Sequence, residues 1–201
     1  DFIEGGLGDD SLYGGSGNDT IHGGDEGVYV SPLPADLTSY FGALSNALIN
    51  GLGGTSGFGE ANIGRNDDNS FNIVFPGEFD ATDWVIAGNG NTAFNLSNNG
   101  YINFSGLSIS LIPADLDTRS TSMQPSPGGN STGSNLAWYD FDAAANVITI
   151  TWDDVGRYSY GTSPVAAQAQ ITALGDGDFD VVLRYEAQGF SFSSPNITLN
   201  G

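Results

Sequence analysis

The sequence predicts a mainly β protein: a short parallel β-roll segment followed by an antiparallel β-sandwich with one helix. Three observations lead there. A nine-residue unit repeats in register near the start of the chain. Short β-prone runs separated by turn clusters fill the chain after Glu60, and only one stretch carries helical spacing.

The repeated unit is G-G-x-G-x-D-x-U-x, with U a large aliphatic residue. Gly5-Gly6-Leu7-Gly8-Asp9-Asp10-Ser11-Leu12-Tyr13 is one copy, and Gly14-Gly15-Ser16-Gly17-Asn18-Asp19-Thr20-Ile21-His22 follows at once. Asp1-Phe2-Ile3-Glu4 fits the last four positions of an earlier copy, and Gly23-Gly24-Asp25 begins a later one that fails at Glu26. A glycine run turns tightly and leaves carbonyls facing inward, and Asp10 and Asp19 add carboxylates to that ring of oxygens. Calcium takes about six to eight oxygens at roughly 2.3–2.6 Å, which such a turn supplies. Leu12 and Ile21 are placed to fill a small apolar core between successive strands. Without metal the carboxylates repel and the glycines stay flexible, so binding and folding are expected to be coupled. The candidate calcium ligands are Asp1, Gly6, Gly8, Asp10, Gly15, Gly17, Asp19, Gly24 and Asp25. A flexible Gly/Asp linker, the competing reading, does not explain an aliphatic residue held at ninefold spacing.

These residues resemble the repeats-in-toxin (RTX) family of secreted bacterial proteins. The resemblance implies two nonapeptides per turn of the roll, calcium as the stabilising ion, and a secreted, extracellular setting. Residues 1–27 form the expected roll, and residues 1–25 supply little more than one turn of it. Such a unit cannot bury its own apolar face. The turn is therefore expected to stack on upstream sequence, on the rest of the chain, or on another molecule. The chain opens in the middle of a repeat, which suggests a piece of a longer polypeptide. Family members are commonly exported by a C-terminal signal, which the last residues do not show clearly.

Composition narrows the partners. There are 24 acidic residues against four basic ones, all arginine, for a net charge of −20. Nucleic acid and anionic membrane surfaces would repel such a chain. No cysteine is present, so disulfides and thiol chemistry are excluded. With 39% hydrophobic residues the chain is not a disordered acidic tail. No signal peptide or membrane-spanning stretch is visible.

Val28-Tyr29-Val30 reads as a short strand. Asp36 then precedes an apolar pattern at Leu37, Tyr40, Phe41, Leu44, Leu48 and Ile49, helical in spacing, with Asp36 as N-cap and Gly51 as stop. Residues 28–57 are assigned as a linker holding this helix. Strands are expected at 71–75, 84–87, 101–104, 107–112, 137–141, 147–152, 166–174 and 179–185, with turns at 88–91, 98–100 and 175–178. Residues 147–152 alternate cleanly and are expected to be half buried. The polar loop 119–134 is expected to be mobile.

A second resemblance rests on Phe58-Gly59-Glu60, Asn62-Ile63-Gly64-Arg65-Asn66-Asp67-Asp68, Asn98-Asn99-Gly100-Tyr101-Ile102-Asn103-Phe104, and Ala114-Asp115-Leu116-Asp117-Thr118-Arg119. Ile150-Thr151-Trp152-Asp153-Asp154-Val155-Gly156 and Gly175-Asp176-Gly177-Asp178-Phe179-Asp180 with Arg184-Tyr185-Glu186 continue it. Their order and content resemble the NIDO (nidogen-type) extracellular domain, assigned here to residues 58–187, with 188–201 a C-terminal strand or linker. That resemblance implies matrix and adhesion roles rather than catalysis.

Four acidic clusters lie on predicted turns or strand ends: Asp67-Asp68, Asp115/Asp117, Asp153-Asp154 and Asp176/Asp178/Asp180. Asp67 and Asp68 are the candidate ligands of a second calcium site. Each cluster also has an arginine near it in sequence: Arg65, Arg119, Arg157 or Arg184. Ion pairing and Asx-turn capping therefore compete with metal binding. His22 is the single histidine and sits at a variable repeat position. No enzyme motif is found, so no catalytic or organic cofactor residues are assigned. Trp84, Trp138, Trp152 and the tyrosines offer either a sugar-stacking surface or core packing.

The expectation is a calcium-stabilised extracellular structural or adhesive module, self-associating end to end into a filament or matrix. In that arrangement the C-terminal strand 190–199 would add to a neighbour's sheet edge. A glycan-binding module and an accessory domain of a larger secreted RTX hydrolase are the competing readings.

Overall fold

The computed structural model describes residues 2–4, 20–22, 28–30, 48–79, 81–86, 88–127, 129–159, 164–175, 178–188, 190 and 195–199. The protein is mainly β, as expected, with antiparallel sheets that form a sandwich.

The first sheet is small. Strands β1 (Phe2–Glu4) and β2 (Thr20–His22) pair in parallel, Phe2 with Thr20, Ile3 with Ile21 and Glu4 with His22. Partners are 18 residues apart (20 − 2 = 18), twice the nine-residue period. Strand β3 (Val28–Val30) pairs in parallel with β15 (Asp178–Gln188), at the edge of the largest sheet. β3, which follows the roll in the segment assigned as linker, is thus held by the rest of the chain.

The largest sheet runs β3-β15-β14-β13-β12-β4, with β11 also on β13. Here β4 is Ala61–Asn62, β11 Leu116–Asp117, β12 Leu136–Asp142, β13 Val147–Arg157 and β14 Val165–Gly175. The β12–β13 turn follows from local chemistry. Asp142 Oδ1 accepts the N–H groups of Ala144 and Ala145, and Asn146 takes φ +55 before β13 begins.

Facing it is a five-stranded sheet in the order β16-β10-β9-β8-β5. Its strands are β5 (Ser70–Val74), β8 (Ala93–Ser97), β9 (Tyr101–Asn103), β10 (Leu107–Ser110) and β16 (Asn196–Leu199). A separate hairpin joins β6 (Val85–Ile86) to β7 (Asn89–Gly90). Strand β8 was not expected. Its Asn- and Ser-rich surroundings read as turn, although Phe94 and Leu96 alternate with the exposed Asn95.

The core lies between the two large sheets. Phe94, Leu96, Ile102, Leu107 and Ile109 of the smaller sheet meet Ile148, Ile150, Trp152, Ala169, Ile171 and Tyr185 of the larger. Trp152 Nε1 donates to the carbonyls of Ser97 and Asn98 at 3.3 and 3.2 Å, and the Tyr185 hydroxyl donates to Leu111 O at 2.9 Å. These bonds satisfy buried polar groups and fix one sheet over the other. All three tryptophans are buried, so of the two roles left open to them they take core packing.

The outer face of the larger sheet is covered too. Leu48 and Phe58 pack on Trp138 and Ala166, and Gln168 bonds both N and O of Ile49 as well as Thr151. Consequently residues 148–152 are buried on both faces rather than half buried. Gly59 has no room for a side chain against the Tyr139 carbonyl. The expected helix falls mostly outside the described residues. Its last two positions, Leu48 and Ile49, are not helical. Strand β16 pairs with β10 of its own chain, so here that strand is not donated to a neighbour.

Candidate metal centre

The roll ligands Asp1, Gly6, Gly8, Asp10, Gly15, Gly17, Asp19, Gly24 and Asp25 lie outside the described residues. The backbone between them does bear on the fit. The parallel register of β1 on β2 is offset by 18 residues, so equivalent positions two nonapeptides apart lie side by side in these strands. Carbonyl and carboxylate oxygens are the donor set that calcium prefers. The residues present therefore fit a calcium ion.

Among the described residues, the one group placed to hold a metal is Asp67, Asp68 and Asp115, with carboxylate oxygens within 4.8 Å of one another. Two segments bring them together. Thr118 N–H donates to Asn66 O at 2.9 Å, and Asn66 N–H donates to the Thr118 hydroxyl at 2.7 Å. Asn99 Nδ2 donates to Asp68 Oδ1 at 3.0 Å. The sequence named Asp67 and Asp68 together but did not bring in Asp115, which lies 47 positions beyond Asp68 (115 − 68 = 47).

A guanidinium already serves this cluster. Arg119 Nη2 lies 2.9 Å from Asp67 and 2.7 Å from Asp117. Its hydrogen bonds hold the Asp117 carboxyl below the usual range, and Asp117 in turn raises Arg119. Desolvation pushes Asp67 up, opposed by Arg119, with the neighbouring carboxylates adding to the rise. A cation here would compete with Arg119 for Asp67.

Arg119 pairs with Asp117 as expected, but Arg65 does not turn to Asp67. It donates instead to the carbonyls of Thr118 at 3.0 Å, Thr121 at 2.6 Å, Ser134 at 3.0 Å, Asn135 at 3.2 Å, and Ser120. Burial lowers its pKa. Arg157 lies over the Phe190 ring, and Arg184 donates to Gln170 at 3.1 Å.

The sequence placed Asp153-Asp154 on a turn or strand end, but the structure buries them together with Glu186. Asp153 and Asp154 are 0% exposed and Glu186 is 3% exposed. A β-bulge between Trp152 and Val155, with Asp154 at φ +52, turns both aspartates toward the loop that precedes β12. Asp154 accepts Ser126 N–H at 2.9 Å and Gly133 N–H at 2.8 Å; Asp153 accepts Thr132 N–H at 2.7 Å and Ser134 N–H at 3.2 Å. Glu186 accepts Asn130 N–H at 2.7 Å and Ser131 N–H at 3.2 Å. Burial raises the Asp154 carboxyl, its hydrogen bonds from Ser126 and Gly133 oppose the rise, and Asp153 adds to it.

The loop expected to be mobile is thus pinned along its second half by backbone donors. The available signal was the pair Asp153-Asp154 directly continuing the β-prone run 147–152. Their lone pairs are used by the loop's own N–H groups, which leaves them poorly suited to a metal.

Comparison with known proteins fits the roll. Residues 1–26 match the family model for the RTX calcium-binding nonapeptide repeat (4 copies). Residues 1–26 carry RTX repeats. No curated protein and no solved structure matches the chain. Nothing in these comparisons supports the nidogen-type resemblance of residues 58–187. No helix among the described residues is long and apolar enough to cross a membrane.

Proposed function

We propose that the chain is a calcium-stabilised, extracellular structural or adhesive module. In this reading calcium stiffens the RTX turns of residues 1–26, and the sandwich presents surface to a matrix. One observation carries it: the 18-residue parallel register of β1 on β2, the geometry a two-repeat calcium turn requires. Because β3 joins the edge of the larger sheet at β15, stiffening the roll also supports the sandwich. Among the described residues β1 pairs with β2 alone, so its other edge is where a further nonapeptide turn would stack, from the same polypeptide or from a second copy's roll. End-to-end association then depends on the roll and not on β16. No catalysis is assigned, since the buried carboxylates are engaged by backbone donors.

The test is calorimetric titration of chelator-stripped protein with calcium, alongside sedimentation velocity with and without the ion. Binding lost in an Asp10→Ala/Asp19→Ala variant, with larger species forming only in calcium, is expected. Absence of heat and melting indifferent to EDTA would falsify the calcium reading. A monomer at every calcium concentration would remove end-to-end association alone.

A further inference from the structure

The outer face of the five-stranded sheet is uncharged in a protein of net charge −20. Its strands read SFNIV, AFNLS, YIN, LSIS and NITL, without one Asp, Glu, Lys or Arg. The inward half of each strand accounts for the core, and the outward half is left to be explained. Register aligns Asn72 of β5 with Asn95 of β8, Asn95 with Asn103 of β9, Asn103 with Ser108 of β10, and Ser108 with Thr198 of β16. Directly opposed residues point to the same face. A row of amides and hydroxyls therefore crosses the whole sheet, roughly 19 Å for four strand spacings.

Asn72, Asn95, Asn103 and Thr198 are exposed. Ser108 Oγ donates to Asn103 Oδ1 at 2.6 Å, which orders the centre of the row. Tyr101, 36% exposed, stands beside it on the same face, opposite Ser110.

We propose that this face binds a neutral polysaccharide. Asparagine amides and Ser/Thr hydroxyls both donate and accept, which matches the hydroxyl groups of a polyol. The exposed Tyr101 ring adds an apolar surface with a polar tip, suited to the C–H side of a sugar ring. Charge selects among the remaining candidates. An anionic polymer is repelled by the protein as a whole, and a cationic one is drawn to the acidic surfaces elsewhere. Size argues against a second copy of the chain: the face covers about 300 Å² by strand spacing and rise. A stable protein interface needs about 800 Å² per partner. A peptide strand adds to a sheet edge rather than to its face.

The proposal does not rest on the calcium reading, because none of the row's residues belongs to the RTX repeats. The experiment is affinity electrophoresis of the full chain in calcium, with a soluble β-glucan, an arabinoxylan and a galactomannan as separate probes and alginate as the anionic control. Retardation by at least one neutral polymer and none by alginate is expected. Asn95→Asp/Asn103→Asp, which replaces donors with acceptor-only charges at mid-row, should weaken binding about tenfold or more at an unchanged melting temperature. Should that pair disturb folding, Asn72→Ala/Thr198→Ala at the two ends of the row serves instead, with about a threefold or larger loss expected. The proposal is overturned if no neutral polymer retards the protein, if alginate does so equally, or if a folded row variant binds like the parent.

Discussion

Asp154 accepts the backbone N–H of Gly133 at 2.8 Å, across 21 positions of chain, from a residue that itself sits at φ +52 in the bulge of β13. Gly133, at φ +75, lies so close to the Met123 carbonyl that no side chain fits there. The strained residue and the glycine depend on each other: the bulge aims the carboxylate, and the glycine lets the loop reach it.

Replacing Asp154 with alanine leaves the N–H groups of Ser126 and Gly133 buried without an acceptor. An orphaned buried donor costs about 1–3 kcal/mol. The Asp154→Ala protein is expected to lose about 2–4 kcal/mol in urea unfolding. A loss below about 1 kcal/mol would mean that water takes the carboxylate's place.

The same residue sets a pH dependence. Burial raises the folded Asp154 carboxyl above its ordinary value, so in the window between the two the folded state holds the proton better than the unfolded state. Stability relative to an Asp154→Asn variant should therefore be greatest below about pH 4, fall as pH rises through the folded value, and level off above it. Urea unfolding of both proteins across this range checks the sign. A difference that grows with pH would show that the Ser126 and Gly133 hydrogen bonds outweigh burial.

Arg65 holds residues 118–121 to residues 134–135 by carbonyl bonds alone. Lysine has neither the planar fork nor enough donors to reproduce them. Arg65→Lys is expected to cost about 1–2 kcal/mol and Arg65→Met about 2–4 kcal/mol. Faster amide exchange should be confined to residues 118–135. Uniform exchange across the protein would contradict a local staple.

Val30 pairs with Val181 at the junction of β3 and β15. A proline at position 30 disfavours strand pairing there. In Val30→Pro, calcium should still bind the roll but no longer raise the melting temperature of the sandwich. An unchanged calcium response of the sandwich would show that the junction does not transmit it.

Trp152 closes the sandwich through the carbonyls of Ser97 and Asn98. Trp152→Phe empties part of the core and orphans those acceptors, for an expected loss of about 2–4 kcal/mol in thermal or urea unfolding. A near-neutral result would mean that the two sheets repack.

Local pattern made much of the fold legible. The ninefold spacing of Ile3, Leu12 and Ile21 announced the roll, and the parallel pairing of Ile3 with Ile21 follows the same period. Most strands of the sandwich were visible because short runs rich in β-branched and aromatic residues are set off by turn clusters. Strand β8 was not, since Asn95 looks the same in a turn as on an exposed face. The Asp67–Asp68 cluster was half legible: its neighbours were found, but Asp115 and the capture of Asp67 by Arg119 come from a distant segment.

By itself the sequence determined the calcium-type repeats, the β class and the acidic surface, because each rests on residue type and on spacings within about one repeat or strand. Only the tertiary structure decided that Asp153, Asp154 and Glu186 face a loop and not solvent, and that Arg65 finds carbonyls and not an acid. It also decided that one sheet turns a neutral row outward. Those outcomes depend on which strands lie side by side, and the energy that selects the pairing is summed over contacts far apart in the chain.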